Sequence, residues 1–230
     1  MVGSLPDKQC SLDPMPTWLL KANVDILAPF LSRLFCWSLE HGVVPSTLKS
    51  AYITPILKKS DLDPLDTKSY RPISNLSVVS KLLERLVSRQ LMAYLTDIDI
   101  FPDLQSAYRA NHSTETAVLK VLPDILTALD SGNLAFLMPL DLSAAFDSVD
   151  HAALLRRLRV SYGLDGTVIN WFASYLSGRT QCVRSPRSSS SPSTLLYGVP
   201  QGLVLGPILF LLYTADVLGI VKRHQLHPHA

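Results

Sequence analysis

Apolar residues recur at helical spacing in three segments of this sequence. Residues 15–40 carry such a stripe and are followed by Gly42, a common stop signal, so we predict an amphipathic helix there. A second long helix is predicted after Ser74, and a third runs from Ser113 to about Asp130, with a kink at Pro123. In the second helix the expected buried stripe is Val79, Leu82, Leu83, Leu86, Val87 and Leu91. The charged residues expected to lie mostly off this stripe are Lys81, Glu84, Arg85 and Arg89.

Runs of β-branched, aromatic or apolar residues predict short strands elsewhere in the chain. Residues 50–59 predict one strand, and residues 61–68 a polar loop after it. An apolar run at residues 134–138 predicts another strand, which leads to Asp141. Residues 181–183 and 195–197 predict two short strands joined by a connector rich in serine and proline.

The second half of the chain carries further predicted helices. Asp147 or Ser148 is expected to cap the first of them, and Thr167 opens the next, which ends at Gly178. The longest apolar run, residues 203–213, is roughly half the length that spans a bilayer and contains proline, so we interpret it as a buried helix. Long helices, separate strands and a hairpin, without regular βαβ alternation, indicate an α+β fold.

Composition excludes some classes of protein. In 230 residues, hydrophobic residues make up 47% and charged residues 17%, which argues against global disorder. The net charge of +2 does not by itself indicate a nucleic-acid partner, which must be argued from local clusters. Cys10, Cys36 and Cys182 lack metal-site spacing and indicate free thiols in a reducing compartment. Because the first residues do not have the pattern of a signal peptide, we expect an intracellular protein, nuclear or cytoplasmic, without a membrane partner.

Two motifs in the second half of the chain carry the most specific chemistry. Residues 140–151 read LDLSAAFDSVDH, and residues 198–207 read GVPQGLVLGP. Asp141, after a predicted strand, would place a carboxylate at a sheet edge, where oxygen ligands hold Mg²⁺. The pair resembles reverse transcriptases of non-LTR (LINE-like) retrotransposons, whose first catalytic motif is D-x-x-x-A-F-D and whose second is G-x-P-Q-G-S. Two further blocks, YRPIS at residues 70–74 and QSAYRANHSTET at residues 105–116, resemble the same family.

The resemblance implies roles for residues of both motifs. Asp141 would be the catalytic carboxylate and, with the backbone carbonyl of Leu142, a ligand of Mg²⁺. Phe146 would exclude a ribose 2′-hydroxyl group. The turn that contains Gln201 and Gly202 would support the template base and the incoming deoxynucleoside triphosphate.

Cationic side chains are the candidate contacts to phosphate. By resemblance Arg71 binds the triphosphate, and Lys58 adds charge nearby, although a solvated strand end explains that lysine equally well. Arg109, in the QSAYR block, would contact the RNA template. Arg179 and Arg184 belong to the most basic third of the chain and would follow a nucleic-acid backbone, with a solvated helix face and loop as the alternative.

The resemblance implies the fingers and a partial palm of a right-hand polymerase, the reverse transcriptase fold, with the thumb absent. We divide the chain into an N-terminal helical segment (residues 1–48), a fingers region (49–133) and a partial palm (134–230). Two residues depart from the expected pattern. Leu203 stands where the family has serine, which removes a helix cap, and Pro139 lies inside the strand predicted before the first motif.

The family's third motif, an aromatic residue followed by Ala-Asp-Asp, should begin directly after residues 227–230. One carboxylate does not hold two Mg²⁺ ions, so we expect a fragment of an RNA-directed DNA polymerase that is inactive alone. Its parent would use an RNA template, a DNA primer and deoxynucleoside triphosphates. The alternatives are a noncatalytic nucleic-acid-binding or interaction module derived from such an element, and an unstable product with an exposed apolar surface.

Overall fold

The computed structural model describes residues 2–5, 13, 15–100, 105–107, 109, 111–142, 144–184 and 188–229. Within these residues the chain forms eight α-helices and four β-strands. The helices are α1 (Thr17–Ala22), α2 (Val24–His41), α3 (Val78–Asp97), α4 (Thr114–Asp130), α5 (His151–Val160), α6 (Gly166–Leu176), α7 (Leu205–Thr214) and α8 (Asp216–Arg223). The strands are β1 (Ser50–Leu57), β2 (Tyr70–Asn75), β3 (Thr180–Val183) and β4 (Ser193–Thr194). This mixed content confirms the predicted α+β class.

The described strands form one mixed sheet in the order β2-β1-β3-β4. β1 pairs with β2 in antiparallel orientation, with Tyr52 opposite Asn75 and Leu57 opposite Tyr70. On its other side β1 pairs with β3 in parallel, and β3 pairs with β4 as an antiparallel hairpin. The sheet therefore joins strands of the predicted fingers region to strands of the predicted palm region.

The sequence pattern does not predict β2, because residues 70–75 contain a proline and show no clear alternation of polarity. In the structure Pro72 of β2 lies opposite Pro55 of β1. A proline donates no ladder hydrogen bond and is tolerated at an edge. β2 is an edge strand of the described sheet, and the pairing of β1 with β3 stops at Ile53, so both prolines avoid positions that need a second partner.

The hydrophobic core lies among α3, α5, α6 and α7. The stripe predicted for α3 is confirmed at Leu82, Leu83 and Leu91, which are all buried. The run predicted to be a buried helix is α7, whose Leu205 and Leu209 have no exposed surface. Burial of a leucine side chain contributes about 1.5–3 kcal/mol, so these stripes drive the helices together.

The first predicted helix is two helices in the structure, α1 and α2, which meet at Asn23. Both the backbone N–H and the side-chain amide of Asn23 donate to the Leu19 carbonyl oxygen, which favours a break in the helix. As predicted, α2 ends at Gly42, which has a φ of 65°. A Cβ atom there would lie 2.8 Å from the Thr167 carbonyl oxygen, so the turn brings α2 close to α6.

The cap of α5 differs from the predicted one. Asp150, the residue before the first helical residue, accepts a hydrogen bond of 2.6 Å from the Ala153 N–H. The prediction of Asp147 or Ser148 as the cap is therefore wrong, because the helix begins later than its apolar pattern indicates.

Residues 134–142 form no regular structure in the part of the chain that is described, so the strand predicted before Asp141 is wrong. Pro139 offers no N–H to a ladder, and none of the four described strands pairs with this segment. Its apolar side chains are consequently exposed, with Leu134 at 93% and Phe136 at 96%. α4, which precedes the segment, also has no buried residue.

One stretch of the described residues, Leu205–Arg223, is long and apolar enough to cross a membrane by length and composition. It comprises α7 and α8. The α7 part contributes Leu205, Leu209 and Leu212 to the core, and a core helix has the same composition as a membrane span of this length. Packing within the fold thus accounts for the apolar content of α7.

Candidate functional site

Residues 198–202 form a turn in which two glycines adopt left-handed backbone conformations. Gly198 has a φ of 84° and Gly202 a φ of 89°, values that residues with side chains rarely adopt. A Cβ atom on Gly198 would lie 2.9 Å from both the Phe146 carbonyl oxygen and the Asp147 Cα atom. The turn therefore contacts the backbone of the first motif directly.

Three hydrogen bonds hold this turn against the first motif. Val199 N–H donates to the Phe146 carbonyl oxygen at 2.8 Å, and Gly198 N–H donates to the Val149 carbonyl oxygen at 2.8 Å. His151 Nε2 donates to the Gly198 carbonyl oxygen at 2.7 Å, since that oxygen can only accept. The sequence pattern does not predict this contact of His151, because a histidine two residues after Val149 gives no signal of it.

The same turn contacts β2. Ser74 N–H donates to the Gln201 carbonyl oxygen at 3.1 Å, and a Cβ atom on Gly202 would lie 3.2 Å from Ile73 Cγ2. Side chains alternate between the two faces of a strand, so Arg71 projects from the same face of β2 as Ile73. The structure thus brings together the YRPIS block and both polymerase-like motifs, which lie far apart in the sequence.

Phe146 is half-buried beside this turn. Its ring centroid lies 5.3 Å from that of Phe210 on α7, and the two rings are tilted by 50°. Such aromatic packing holds the side chain against the core, and part of its surface stays exposed. Its role in excluding a 2′-hydroxyl stays a prediction.

Arg71 and Lys58 lie at the same end of the β1–β2 hairpin, and both are exposed. Arg71 lies opposite Ile56. Lys58 Nζ donates to the Lys68 carbonyl oxygen at 2.8 Å, and its backbone N–H donates to the Ser69 carbonyl oxygen at 2.8 Å. Lys58 therefore helps to close the hairpin loop, which supports the alternative that it marks a strand end.

Two predicted contacts to nucleic acid lie at least partly at the surface. Arg109 is half-buried, and its backbone N–H donates to the Ser106 carbonyl oxygen at 3.4 Å. Arg184 is exposed at the end of β3, with its guanidinium carbon 5.5 Å from the centroid of the Tyr52 ring. Both stay predictions as contacts to phosphate.

The prediction that Arg179 binds nucleic acid is wrong, because the side chain is only 1% exposed. Its Nη1 donates to the Tyr175 carbonyl oxygen at 3.0 Å, and its guanidinium carbon lies 4.7 Å from the centroid of the Tyr175 ring. Arginine pairs with aromatic faces in this way inside proteins. The cluster of arginines in the sequence gave no signal that this one turns inward.

Glu84 joins Tyr175 and Arg179 in this buried cluster, a placement that the sequence pattern does not predict. The prediction that it lies off the buried stripe of α3 is wrong, since it is only 2% exposed. The Tyr175 hydroxyl donates to its Oε1 at 2.9 Å. Burial raises the pKa of the Glu84 carboxyl, and the Tyr175 hydrogen bond and the Arg179 charge oppose that rise. Glu84 lies one turn before the buried Val87, and this spacing could have placed it on the buried face.

Asp141 and Leu142 are both exposed, in the segment without regular structure. Among the described residues no group of three or more His, Cys, Asp or Glu side chains is arranged to hold a metal ion. Mg²⁺ requires several oxygen ligands in octahedral geometry, and a single exposed carboxylate does not supply them. The described residues therefore do not fit the predicted Mg²⁺ site.

A cleft of ≈ 610 Å³ opens beside Leu142, between α5 and the helices α7 and α8. Arg156, Arg157 and Asp216 contribute polar groups to its lining. Arg157 forms an ion pair with Asp216, which lowers the pKa of the Asp216 carboxyl. Asp216 is the acidic residue of this lining, and it is paired with Arg157. The cleft therefore offers no unpaired carboxylate that would join Asp141 in holding a metal ion.

A comparison with known protein families covers the motifs that contact each other at this turn. Residues 56–228 match the family described as reverse transcriptase (RNA-dependent DNA polymerase). The chain belongs to the reverse transcriptase family. Both polymerase-like motifs and the YRPIS block of this reverse transcriptase chain lie inside the matched residues.

Several relatives of this chain come from transposable elements of fruit flies. The chain is 35% identical over 230 residues to the probable RNA-directed DNA polymerase from transposon BS of Drosophila melanogaster. The alignment covers 99% of this chain and 25% of the relative. It is 36% identical over 165 residues to the probable RNA-directed DNA polymerase from transposon X-element of the same organism. That alignment covers 72% of this chain and 18% of the relative. It is 34% identical over 212 residues to the RNA-directed DNA polymerase from mobile element jockey of Drosophila funebris. This alignment covers 92% of the chain and 23% of the relative. The predicted resemblance to non-LTR retrotransposon reverse transcriptases is confirmed, and the chain spans a quarter or less of these relatives.

Proposed function

We propose that this chain is the fingers and partial palm of a retrotransposon RNA-directed DNA polymerase, and that it binds the incoming nucleotide where β2 meets the turn at residues 198–202. The observation that carries the proposal is the pair of backbone contacts made by this turn. One joins Ser74 to Gln201, and the other joins Phe146 to Val199. Because backbone contacts fix both neighbours, the three sequence blocks act as one binding surface.

The chemistry of this surface suits a deoxynucleoside triphosphate. Arg71 projects from the face of β2 that Gly202 contacts, and its exposed guanidinium can bind phosphate oxygens in a bidentate manner. The glycines of the turn let it pack closely against the first motif and against β2, which holds the surface together. Phe146 is hydrogen-bonded to the turn through its backbone carbonyl, and its half-buried ring would lie against the sugar.

Template and primer would extend from this surface along cationic side chains that lie at least partly at the surface. Arg184 on the sheet and Arg109 are the described candidates, and Lys58 lies at the hairpin end beside Arg71. Contacts of this kind to phosphate are electrostatic and sequence-independent. The proposed partners are therefore an RNA template and a DNA primer.

Nucleotidyl transfer is not part of the proposed activity of this chain alone. Asp141 and the Leu142 carbonyl would hold Mg²⁺ only together with further oxygen ligands, because this ion takes several of them. No group of three or more His, Cys, Asp or Glu side chains among the described residues is arranged to supply such ligands. We therefore propose that this chain binds substrate without extending the primer.

Nucleotide binding to the full chain tests the proposal. A fluorescent deoxynucleoside triphosphate is titrated in the presence of an RNA template annealed to a DNA primer. Arg71→Ala should weaken nucleotide binding by about tenfold or more, because it removes charge-assisted hydrogen bonds. Arg89→Ala, which removes an exposed arginine from α3, is the matched control and should leave the affinity unchanged. Equal affinities of Arg71→Ala and the unaltered chain would rule out the proposed nucleotide site.

The alternative, a noncatalytic nucleic-acid-binding module, is favoured by the missing cluster of metal ligands among the described residues. It predicts binding to RNA that persists in EDTA, falls steeply with salt and ignores added nucleotide. Arg184→Ala should then reduce the slope of log affinity against log salt by about one unit. Tighter binding of template and primer on addition of the matching nucleotide would contradict this alternative.

A further inference from the structure

The peptide group that joins Gly198 to Val199 has both of its polar atoms bonded to residues of the first motif. Its N–H, carried by Val199, donates to the Phe146 carbonyl oxygen at 2.8 Å. Its carbonyl oxygen, that of Gly198, accepts a hydrogen bond of 2.7 Å from His151 Nε2. The first bond joins two backbone groups, whereas a side chain makes the second. The second bond therefore depends on which residue stands at position 151.

The backbone of Gly198 does not by itself fix the orientation of this peptide group. Gly198 has a φ of 84°, and glycine adopts positive and negative φ about equally well, so other orientations are accessible to it. Gly198 and Val199 are both buried, so water has little access to a carbonyl oxygen that loses its donor. A buried carbonyl group without a partner is costly. The His151 bond therefore favours the observed orientation of the peptide group over the others.

His151 is itself held in place by the start of α5. It is the first residue of that helix, which Asp150 caps through its side chain. Leu154, one turn later, has no exposed surface and anchors the helix in the core. On the other side of His151, the Val149 carbonyl oxygen accepts a hydrogen bond of 2.8 Å from Gly198 N–H. The imidazole therefore reaches the turn from a capped and packed helix end.

We propose that His151 is a positioning residue for the nucleotide-binding turn at residues 198–202, because its Nε2–H fixes the peptide group between Gly198 and Val199. The proposal rests on the proposed function for its effect on nucleotide binding. Its effect on the turn itself does not depend on any ligand. His151 acts through the turn and not by contact with the nucleotide.

The tautomer of the His151 ring is the first test, made on the full chain without ligand. A carbonyl oxygen only accepts hydrogen bonds, so Nε2 must carry a proton. NMR of the ring nitrogens at alkaline pH should therefore show a neutral ring that is protonated at Nε2. His151→Gln identifies the signal by its loss. A neutral ring with its proton on Nδ1 would overturn the proposal.

Hydrogen exchange then measures whether this bond holds the turn. His151→Leu removes the donor and should speed exchange of the Gly198 and Val199 amides by about tenfold, as expected for loss of one hydrogen bond. His151→Gln retains an N–H donor of similar reach and should restore most of the protection. Exchange in α3 should be unchanged in both variants. Similar exchange at the turn in the two variants, or an equal rise in α3, would overturn the proposal.

Two further variants separate this bond from general stability. His151→Asn carries an amide that is one methylene shorter than that of glutamine, and it keeps the measurement possible if His151→Leu unfolds. Its turn amides should exchange faster than those of His151→Gln, and equal protection in the two amide variants would count against the proposal. His224→Leu replaces an exposed histidine directly after α8 and should change neither exchange at the turn nor nucleotide affinity.

Nucleotide affinity connects the His151 bond to the site. His151→Leu should weaken binding of the fluorescent nucleotide by about tenfold, and His151→Gln should recover most of the affinity. RNA affinity should stay within about twofold in both, since the proposed template contacts lie elsewhere. Failure of the unaltered chain to bind nucleotide would reject the proposed function, and the exchange result would still decide the effect of His151 on the turn. Fast exchange with unchanged nucleotide affinity would overturn the positioning role.

Discussion

The backbone N–H of Val199 lies 2.8 Å from the carbonyl oxygen of Phe146, so the turn of one motif is hydrogen-bonded to the backbone of the other. Fifty-three positions separate the two residues in the sequence. Because both groups belong to the backbone, the contact depends on chain geometry more than on the identity of either side chain. Changes that push the two segments apart should therefore destabilise the fold and disrupt the site together.

Gly198→Ala is the most direct change of this approach. The added Cβ would lie 2.9 Å from the Asp147 Cα atom in a backbone conformation with φ of 84°, so either the turn or the first motif must move. We expect a loss of about 1–3 kcal/mol in the free energy of unfolding, measured by urea denaturation. Gly219→Ala is the control, since its Cβ meets nothing within 4 Å on α8, and helix propensity predicts a gain of up to about 1 kcal/mol. A stable Gly198→Ala variant would contradict the close approach.

A second prediction concerns the contact between α2 and α6. The Trp171 indole N–H donates to Ser38 Oγ at 3.0 Å, and the Ser38 hydroxyl donates to the Val43 carbonyl oxygen at 2.6 Å. Ser38→Ala leaves a buried donor and an acceptor without this partner and should cost about 1–3 kcal/mol. Ser32→Ala, at an exposed position of the same helix, should change stability by less than about 0.5 kcal/mol. Thermal and urea unfolding measure both, and equal stabilities would show that the hydrogen bonds contribute little.

Much of this fold follows from local sequence patterns. The structure contains four features that local patterns predict. These are the periodic helix α3, the helix α7 in the longest apolar run, the stop of α2 at Gly42 and the strand β1. The resemblance implied that Arg71 and the turn with Gln201 and Gly202 both serve the incoming nucleotide, but the sequence pattern did not show that β2 contacts this turn. The backbone of Ser74 makes that contact, and a backbone hydrogen bond leaves no trace in residue type.

The errors have a common physical origin in long-range contacts. Glu84 and Arg179 read as surface charges because a linear pattern does not reveal that they share one buried cluster through Tyr175. The apolar run before Asp141 predicts a strand that ends there. A strand is stable only when a neighbouring strand pairs with its backbone hydrogen-bonding groups, and none of the described strands pairs with this segment. Pro139 removes one of the donors for such a ladder. The family motifs therefore identified the candidate residues, whereas local patterns did not predict the environments of Asp141, Glu84 and Arg179.

The exposed apolar face of α4 gives a third prediction. Leu122 and Leu126 keep about half of their surface exposed, 46% and 49%, in a helix without a buried residue. Leu122→Gln with Leu126→Gln should leave the free energy of unfolding within about 1 kcal/mol of its original value and reduce concentration-dependent association in light scattering. Leu158→Ala, in the core on α5, should instead cost about 2–5 kcal/mol. A large loss of stability in the α4 variant would show that this face is buried in solution.

The ion pair between Arg157 and Asp216 makes stability depend on pH. The Arg157 hydrogen bond holds the pKa of the Asp216 carboxyl below its ordinary value of 3.8. A carboxyl group whose pKa is lowered by folding adds stability that is complete above its unfolded pKa and is lost as the pH falls through its folded pKa. The Asp216 side chain is 69% exposed, so solvent screening should limit this contribution to below about 1 kcal/mol.

Asp216→Asn removes this titration while Arg157 keeps its hydrogen bond to the Leu212 carbonyl oxygen. The variant should be less stable than the unaltered chain at about pH 6, and the difference should shrink as the pH approaches about 3, because protonation then removes the same charge from the unaltered chain. Urea unfolding at a series of pH values measures this difference. Asp165→Asn, which affects the more exposed pair with Arg159, is the control and should show a smaller change. A difference that grows toward low pH would have the wrong sign and would show that Arg157 does not stabilise the charged form of Asp216.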